Sequence, residues 1–316
     1  MIINTGSRTD IPAYYSEWFY NRIKEGYVLV RNPYYPTQVL RYRLNPEVVD
    51  VLCFCTKNPE PMLHRIKEIE AFRQIWYVTL NPYGVDVEPN VPKKEKVMES
   101  LRRLSDTVGI QAVFWRYDPI FISDMYSIDV HIRSFERMAE YLSGSVNTCV
   151  ISFIDLYEKT KRNFPSVKEV TRQEGIQIGK AFVEIGKNYG IQIRSCCEGT
   201  YLEPYGVNVT GCMTQFVIEQ AIGCNLDIPK GKKPAREACN CLLGNDIGAY
   251  NTCGHGCLYC YANYDRKTVE ENMKLHDPKS PFLIGNLLPG DIIKDAKQES
   301  YVDRQLKFCF DLGMIQ

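Results

Sequence analysis

The chain has 316 residues, enough for one large core or two smaller ones. Its composition is that of an ordinary globular protein, and 38 acidic residues balance 38 basic ones. No whole-molecule field favours nucleic acid or an acidic membrane surface, and no apolar run approaches membrane-spanning length. The opening MIINTGSRTDIP lacks a basic region followed by an apolar run, so no signal peptide and a cytoplasmic location are expected. Thirteen cysteines in that reducing compartment point to metal or cluster ligation where they are clustered, and to small buried hydrophobes where they are scattered.

In chain order, residues 2–7 read as a strand, and residues 14–24 as a helix with Trp18, Phe19 and Ile23 on one face. A proline-punctuated insertion, VRNPYYPTQVLRYRL, holds a small hairpin. The strand over 49–56 precedes a helix over 61–72. The strand over 75–80 precedes a helix ending at Gly109. The strand over 110–116 precedes a helix over 130–144. The strand over 148–154 precedes a helix over 171–190, and a sixth strand covers 191–195. Beyond Ser195 the turn residues and cysteines multiply. A helix is expected over 213–222, and the tail over 292–313 reads as helical.

Six β-then-α units in a row predict an α/β fold with a parallel sheet and right-handed crossovers. The expectation is a partial or closed parallel (β/α)6 barrel over residues 1–195. A cysteine-rich appendage over 196–316 would carry a cluster loop and dock on the barrel mouth. No glycine-rich phosphate loop follows the first strand, which disfavours a dinucleotide fold, although an open doubly wound sheet has the same periodicity.

Parallel barrels gather their active sites at the C-terminal ends of the strands. Those ends carry Ser7, Arg8 and Asp10; Thr56, Lys57 and Asn58; Thr79, Asn81, Tyr83 and then Glu88; Arg116 and Asp118; Ser152 and Asp155; and Cys196, Cys197 and Glu198. Arg116, Asp118, Arg8 and Asp10 are the candidates for catalytic roles. The plainer alternatives are a structural Arg116–Asp118 ion pair, a snorkelling Lys57, and strand ends that are polar only because they meet solvent.

The strongest signal is NTCGHGCLYCYAN. Cys253, Cys257 and Cys260 fall at CxxxCxxC spacing, with Tyr259 before the last. A tetrahedral zinc site usually draws on two separated cysteine pairs. Three thiolates within eight residues suit three irons of a cubane, with the fourth iron left without a protein ligand. Gly254 and Gly256 let the loop curl and bring backbone amides near sulfide, and Tyr259 is placed to cover one face of the cluster. Zinc, or a purely structural loop, is the alternative.

This loop resembles the radical S-adenosylmethionine (SAM) superfamily. The resemblance implies a [4Fe–4S] cluster whose open iron binds SAM, reductive cleavage to a 5′-deoxyadenosyl radical, and hydrogen abstraction from a substrate. It also implies a reductant such as flavodoxin or ferredoxin. In that superfamily the loop normally follows the first strand. Here it follows the sixth, so it is expected to return over the same barrel mouth. The usual glycine-glycine-glutamate motif for the SAM amine is absent, which leaves Thr56, Asn58, Ser152 and Asp155 as candidates to hold SAM. Over nearly the whole chain, SRTDIPAYY, TKNPEPML, EPNVP, WRYDPI, ISFIDLY and CNCLLGNDIGAYNTC resemble an uncharacterised domain-of-unknown-function family. TKNPEPML and the strand after it are distantly similar to spore photoproduct lyase, which implies a nucleobase substrate; a small molecule is the other class, and neutral net charge does not favour the nucleobase.

Cys197, Cys212, Cys239 and Cys241 are candidates for a second Fe–S cluster or a zinc site, with Cys224 a possible substitute and buried free thiols the alternative. Cys53, Cys55, Cys149 and Cys309 read as core or surface thiols. His255, inside the loop, either bonds a cluster sulfur or faces solvent, while His64 and His131 read as structural. Tyr117 and Cys196 are candidate hydrogen donors to a radical. A non-catalytic Fe–S or zinc protein, acting as a sensor or in nucleic-acid binding, is the competing function. A metal-dependent hydrolase is disfavoured, because only four histidines exist and none is paired at ligand spacing.

Overall fold

A computed structural model describes residues 1–229, 239–242 and 244–303. The chain opens with β1 (Ile2–Asn4), α1 (Ile11–Tyr14), α2 (Ser16–Glu25), β2 (Tyr27–Arg31) and β3 (Gln38–Arg43). It continues through β4 (Val51–Thr56), α3 (Glu60–Leu63), β5 (Gln74–Thr79), α4 (Lys94–Val108), β6 (Val113–Ile120) and α5 (Ile128–Leu142). Then come β7 (Thr148–Phe153), α6 (Glu158–Asn163), α7 (Arg172–Tyr189), β8 (Gln192–Ser195), α8 (Gln215–Ile222), β9 (Asn245–Asp246), α9 (Arg266–Met273) and β10 (Ile292–Asp295).

Seven strands pair in the order β8-β7-β6-β5-β4-β1-β9, every pair parallel. Six of them follow one another in space as they do in sequence. That is a single winding; a doubly wound sheet reverses its order at a switch point. The described pairing leaves the sheet open between β8 and β9, so closure into a barrel is not formed by the described strands. The expected hairpin is β2 with β3, and β10 adds a third strand beside β3. The tail expected to be helical is therefore extended over Ile292–Asp295, where its backbone finds the free edge of β3. Residues 304–313 of that tail, Cys309 included, lie outside the described residues.

Strand alternation sorts the two faces. Leu52 and Phe54, Trp76 and Val78, Trp115 and Tyr117, and Ile151 and Phe153 point outward and pack with the apolar stripes of α2, α4, α5 and α7 in one core. Aromatic rings form its layers: Phe54 stacks on Trp76 at 4.0 Å, and Phe135 lies between Trp115 and Phe182 at 4.7 and 3.8 Å. Each such fully buried ring contributes roughly 2–3 kcal/mol relative to exposure. Helix α7 starts on a capping box, with Thr171 accepting from the Glu174 N–H and Glu174 from the Thr171 N–H, and closes at Gly190.

The inward positions Ile2, Val51, Cys53, Ile75, Tyr77, Phe114 and Val150 form a second core. They are covered by the stretch after β8: Cys212, Met213, Val217 and Ile218 of the α8 region, with Leu226, Cys239 and Cys241. The segment beyond Ser195 thus supplies the inner lining of the wall and its seventh strand. Among the described residues no helix is long and apolar enough to cross a membrane.

Candidate metal and active site

Toward their C-terminal ends the inward positions turn from apolar to polar. Asn4, Cys55, Thr79, Arg116 and Ser152 succeed the apolar residues on the same faces, and with Cys196, just past β8, they line one cavity of about 300 Å³. Of the candidate residues, Arg8, Asp10, Thr56, Arg116, Asp118, Ser152, Asp155 and Tyr259 line it, together with Cys253, Cys257 and Cys260 and with Cys197, Cys212, Cys239 and Cys241. Asn58 is not in the lining; its side chain accepts from the backbone N–H of Glu60 at 3.3 Å, at the start of α3. Cys55, read as a packing thiol, faces the cavity. Cys53 packs against Met213.

Strand β9 explains how a loop so late in sequence reaches this place. It pairs with β1 in parallel, Ile3 opposite Asn245 and Asn4 opposite Asp246. Its C-terminal end therefore emerges at the same rim as the other strand ends, beside the loop that follows β1. The Asp246 carboxylate accepts from the N–H groups of Ser7 and Gly248, each at 2.8 Å, with the Arg8 guanidinium 4.0 Å away.

The cysteine loop is clamped from several sides. His255 is buried, and its Nε2 is 2.8 Å from Asp10 Oδ2. A carboxylate accepts, so Nε2 carries the proton; in the neutral ring Nδ1 accepts from the Tyr14 hydroxyl at 3.1 Å. Asp10 Oδ2 also accepts from the Lys57 N–H at 2.8 Å, and Oδ1 caps α1 by accepting from the Ala13 N–H. The histidine expected to face solvent or a sulfur is instead a buried tie between the loop and the end of β1. Asn90 Nδ2 donates to the Gly254 carbonyl at 2.7 Å, the Asn90 N–H to the His255 carbonyl, and the Leu258 N–H to the Val87 carbonyl. A Cβ on Gly254 would sit 2.7 Å from the Tyr14 ring, and Gly256 has φ +69°, so both positions require glycine.

Glu88 anchors the other side. It accepts from Lys57 Nζ at 2.8 Å, from Lys94 Nζ, and from the Tyr259 hydroxyl. Burial alone would raise its pKa, but Lys57 and then Lys94 outweigh it and hold the carboxyl at about 2. Asn81 locks this group to β6, with Nδ2 donating to the Asp118 carbonyl at 2.9 Å and Oδ1 accepting from the Asp118 N–H at 2.8 Å. A register shift between Tyr117 and Ile120 interrupts the β6–β7 ladder at this point. Arg116 pairs with Asp118, whose other oxygen accepts from Ser152 Oγ, and the buried Arg116 Nε has no protein partner. Burial raises Glu198 to about 7, with Asp155 and Asp118 adding to it against the Phe153 N–H that donates to this carboxyl.

The donor set tests what the loop can hold. Three thiols on one short turn border the cavity, and burial pushes the Cys257 thiol up to about 12 while Lys57 pulls the other way. Buried thiols without a cation stay neutral; a bound cation deprotonates them outright. Cys253, Cys257 and Cys260 all border the cavity, and three thiols on one loop fit a metal or an iron–sulfur cluster in chemistry. Among the described residues, the thiols gathered within 4.8 Å of one another are instead Cys196, Cys212 and Cys241. Cys212 Sγ is 3.3 Å from Cys196 Sγ and 3.4 Å from Cys241 Sγ. Cys197 lies one step out, its Sγ 3.9 Å from that of Cys196, and Cys239 Sγ is 3.4 Å from the Cys241 N–H. Spacing alone left Cys196 out of this thiol group; the inward alternation of β8, continued from Arg194 to Cys196 just past its end, carries that signal.

No curated protein and no solved structure matches the chain. A family model described as a domain of unknown function, DUF1848, matches residues 2–262, which takes in β1 through the cysteine loop. The chain belongs to that family.

Proposed function

We propose that this protein is a radical SAM enzyme whose [4Fe–4S] cluster is held by Cys253, Cys257 and Cys260. The observation that carries the reading is the placement of that loop at the end of β9, next to β1 and on the cavity rim where the other strands end. A loop that normally follows the first strand is thereby brought beside the first strand by a different route. When bound and reduced, the cluster would supply the one electron needed to cleave the C5′–S bond of SAM, with methionine as leaving group, and so the capacity to remove a hydrogen atom from substrate.

The chain's own residues position and enclose. The three thiolates hold iron, and the Asp10–His255–Tyr14 tie and the Glu88–Tyr259 contact fix the loop that carries them. The ring of Tyr259 lies under Lys57 Nζ at 5.4 Å. Thr56, Ser152 and Asp155 offer hydroxyl and carboxylate groups to the amino acid and ribose portions of SAM, while Asn58 is occupied at its helix start. Arg8 and Arg116 on the lining suit a substrate with anionic or carbonyl oxygens. Arg116 is braced by Asp118, which Ser152 in turn holds. The cavity is of small-molecule size, at the lower end of ligand pockets. The substrate is a small molecule or a nucleobase, and a flavodoxin or ferredoxin is the fitting electron donor.

Anaerobic purification with iron, sulfide and electron-resonance analysis tests the ligand assignment. The wild-type chain is expected to be brown and to show a reduced-cluster signal that shifts when SAM is added. Cys257→Ala is expected to lose both signal and shift. A Cys257→Ala chain that keeps its iron and the SAM-dependent shift contradicts the assignment.

A further inference from the structure

We propose that Cys196, Cys212 and Cys241, completed by Cys239, form a mononuclear tetrahedral zinc site, separate from the cysteine loop, that fastens the inner lining to the barrel wall. The proposal does not rest on the radical SAM reading.

Distance distinguishes the metals. A zinc–thiolate bond of about 2.3 Å places the sulfurs of a tetrahedron about 3.8 Å apart. The observed separations of 3.3 and 3.4 Å, with all three sulfurs within 4.8 Å, are near that edge. A cubane gives each cysteine its own iron, and a two-iron cluster gives each iron only two, so both spread three thiolates more widely. Three thiols converging on one point call for one ion. Thiolate ligands favour a thiophilic cation, and zinc binds such a set more tightly than ferrous iron.

The surroundings are built for it. The Cys196 N–H donates to the Ile151 carbonyl at 3.0 Å, fixing that ligand to β7. The Tyr77 hydroxyl donates to the Cys212 carbonyl at 2.6 Å, and Arg194 to the Gly211 carbonyl at 3.1 Å, fixing the second. The Met213 N–H points at Cys241 Sγ at 3.2 Å, and the Cys241 N–H at Cys239 Sγ at 3.4 Å, the amide-to-sulfur bonds that stabilise thiolates. Arg116 and Arg194 bring positive charge beside a site that is net negative when four thiolates hold one dication. Cys239 suits the fourth place better than Cys197. Cys239 lies two residues from Cys241, whose N–H already points at its Sγ at 3.4 Å, whereas Cys197, with its Sγ 3.9 Å from that of Cys196, directly follows a ligand at φ +63°.

Such an ion would join three stretches that are distant in sequence: the end of β8, the turn before α8, and residues 239–242. The test is metal analysis of the full chain, prepared anaerobically without added zinc, beside two variants. About one zinc per chain is expected in the wild type. The same is expected in a Cys253→Ser, Cys257→Ser, Cys260→Ser variant that has lost the loop iron. A loss of at least about tenfold is expected in Cys212→Ser. Should Cys212→Ser fail to fold, alkylation of the wild-type chain decides, read by peptide mass after stripping and zinc return. Zinc is expected to protect Cys196, Cys212, Cys239 and Cys241 and to leave Cys224 reactive. A wild-type chain without zinc, a loop-free variant that retains iron and sulfide, or zinc that fails to protect those four thiols would overturn the proposal.

Discussion

At the scale of single residues, His131 shows how a side chain outside the cavity sets the conditions under which the fold survives. Its Nε2 is 2.8 Å from the Phe121 carbonyl, which can only accept, so Nε2 carries the proton and Nδ1 accepts from the Tyr117 hydroxyl at 2.9 Å. A second proton on Nδ1 would face that hydroxyl inside the core. Burial accordingly lowers His131 to about 4, with the Phe121 carbonyl opposing. The folded state resists a proton that the unfolded state accepts near pH 6.5, so this contribution is complete above pH 6.5 and declines as pH falls toward 4. The loss amounts to about 2–3 kcal/mol. Denaturant unfolding across that range is expected to show His131→Gln with a flatter pH dependence than wild type; equal slopes would contradict it. The structural role of this histidine was legible in sequence, from its place in a helical stretch. The roles of Asp10, Glu88 and His255 as loop anchors were not. Asp10 meets His255 across 245 positions and Glu88 meets Tyr259 across 171, and no local pattern encodes contacts at such separations.

At the scale of elements, the CxxxCxxC loop owes its shape to two glycines with different physical reasons. Gly256 supplies a left-handed turn, and Gly254 allows the backbone to approach the Tyr14 ring. In Gly254→Ala the new methyl meets ring atoms at 2.7 and 2.9 Å, and moving the ring breaks its hydroxyl contact with His255. A destabilisation of about 1–3 kcal/mol and lower iron retention are expected, and removing the ring in Gly254→Ala with Tyr14→Ala is expected to recover part of the iron. Iron per chain measures this, and full retention in Gly254→Ala alone would contradict it. The six βα units and the small hairpin were legible because their periods are strong and local. Strand β9 was not, since two residues carry no period. Strand β10 reads as helix in the sequence because Ile292–Asp295 precedes a polar run, and only the exposed edge of β3 makes it a strand.

For the whole molecule, the sheet is an unclosed wall whose inner face is covered by the segment that follows β8. That arrangement concentrates the chemistry. The apolar part of the inner face buries α8 and its neighbours, and the polar rim is left to face the cavity with both cysteine groups on it. A parallel sheet needs both faces covered, and here helices cover one and the cysteine-bearing segment the other. The parallel sheet could be read from the succession of βα units in the sequence. The inner lining could not, because it is held by tertiary contacts and by thiols whose spacing matches no fixed template.

The measurement that tests the central claim most directly is product analysis after anaerobic reconstitution with iron and sulfide, using dithionite as reductant and SAM as the only other addition. 5′-Deoxyadenosine, detected by mass, is expected from the wild-type chain and none from Cys257→Ala. A chain that carries its full loop cluster and returns SAM unchanged, alone and with small-molecule and nucleobase substrates added, would contradict it and identify the loop as a sensor or electron carrier.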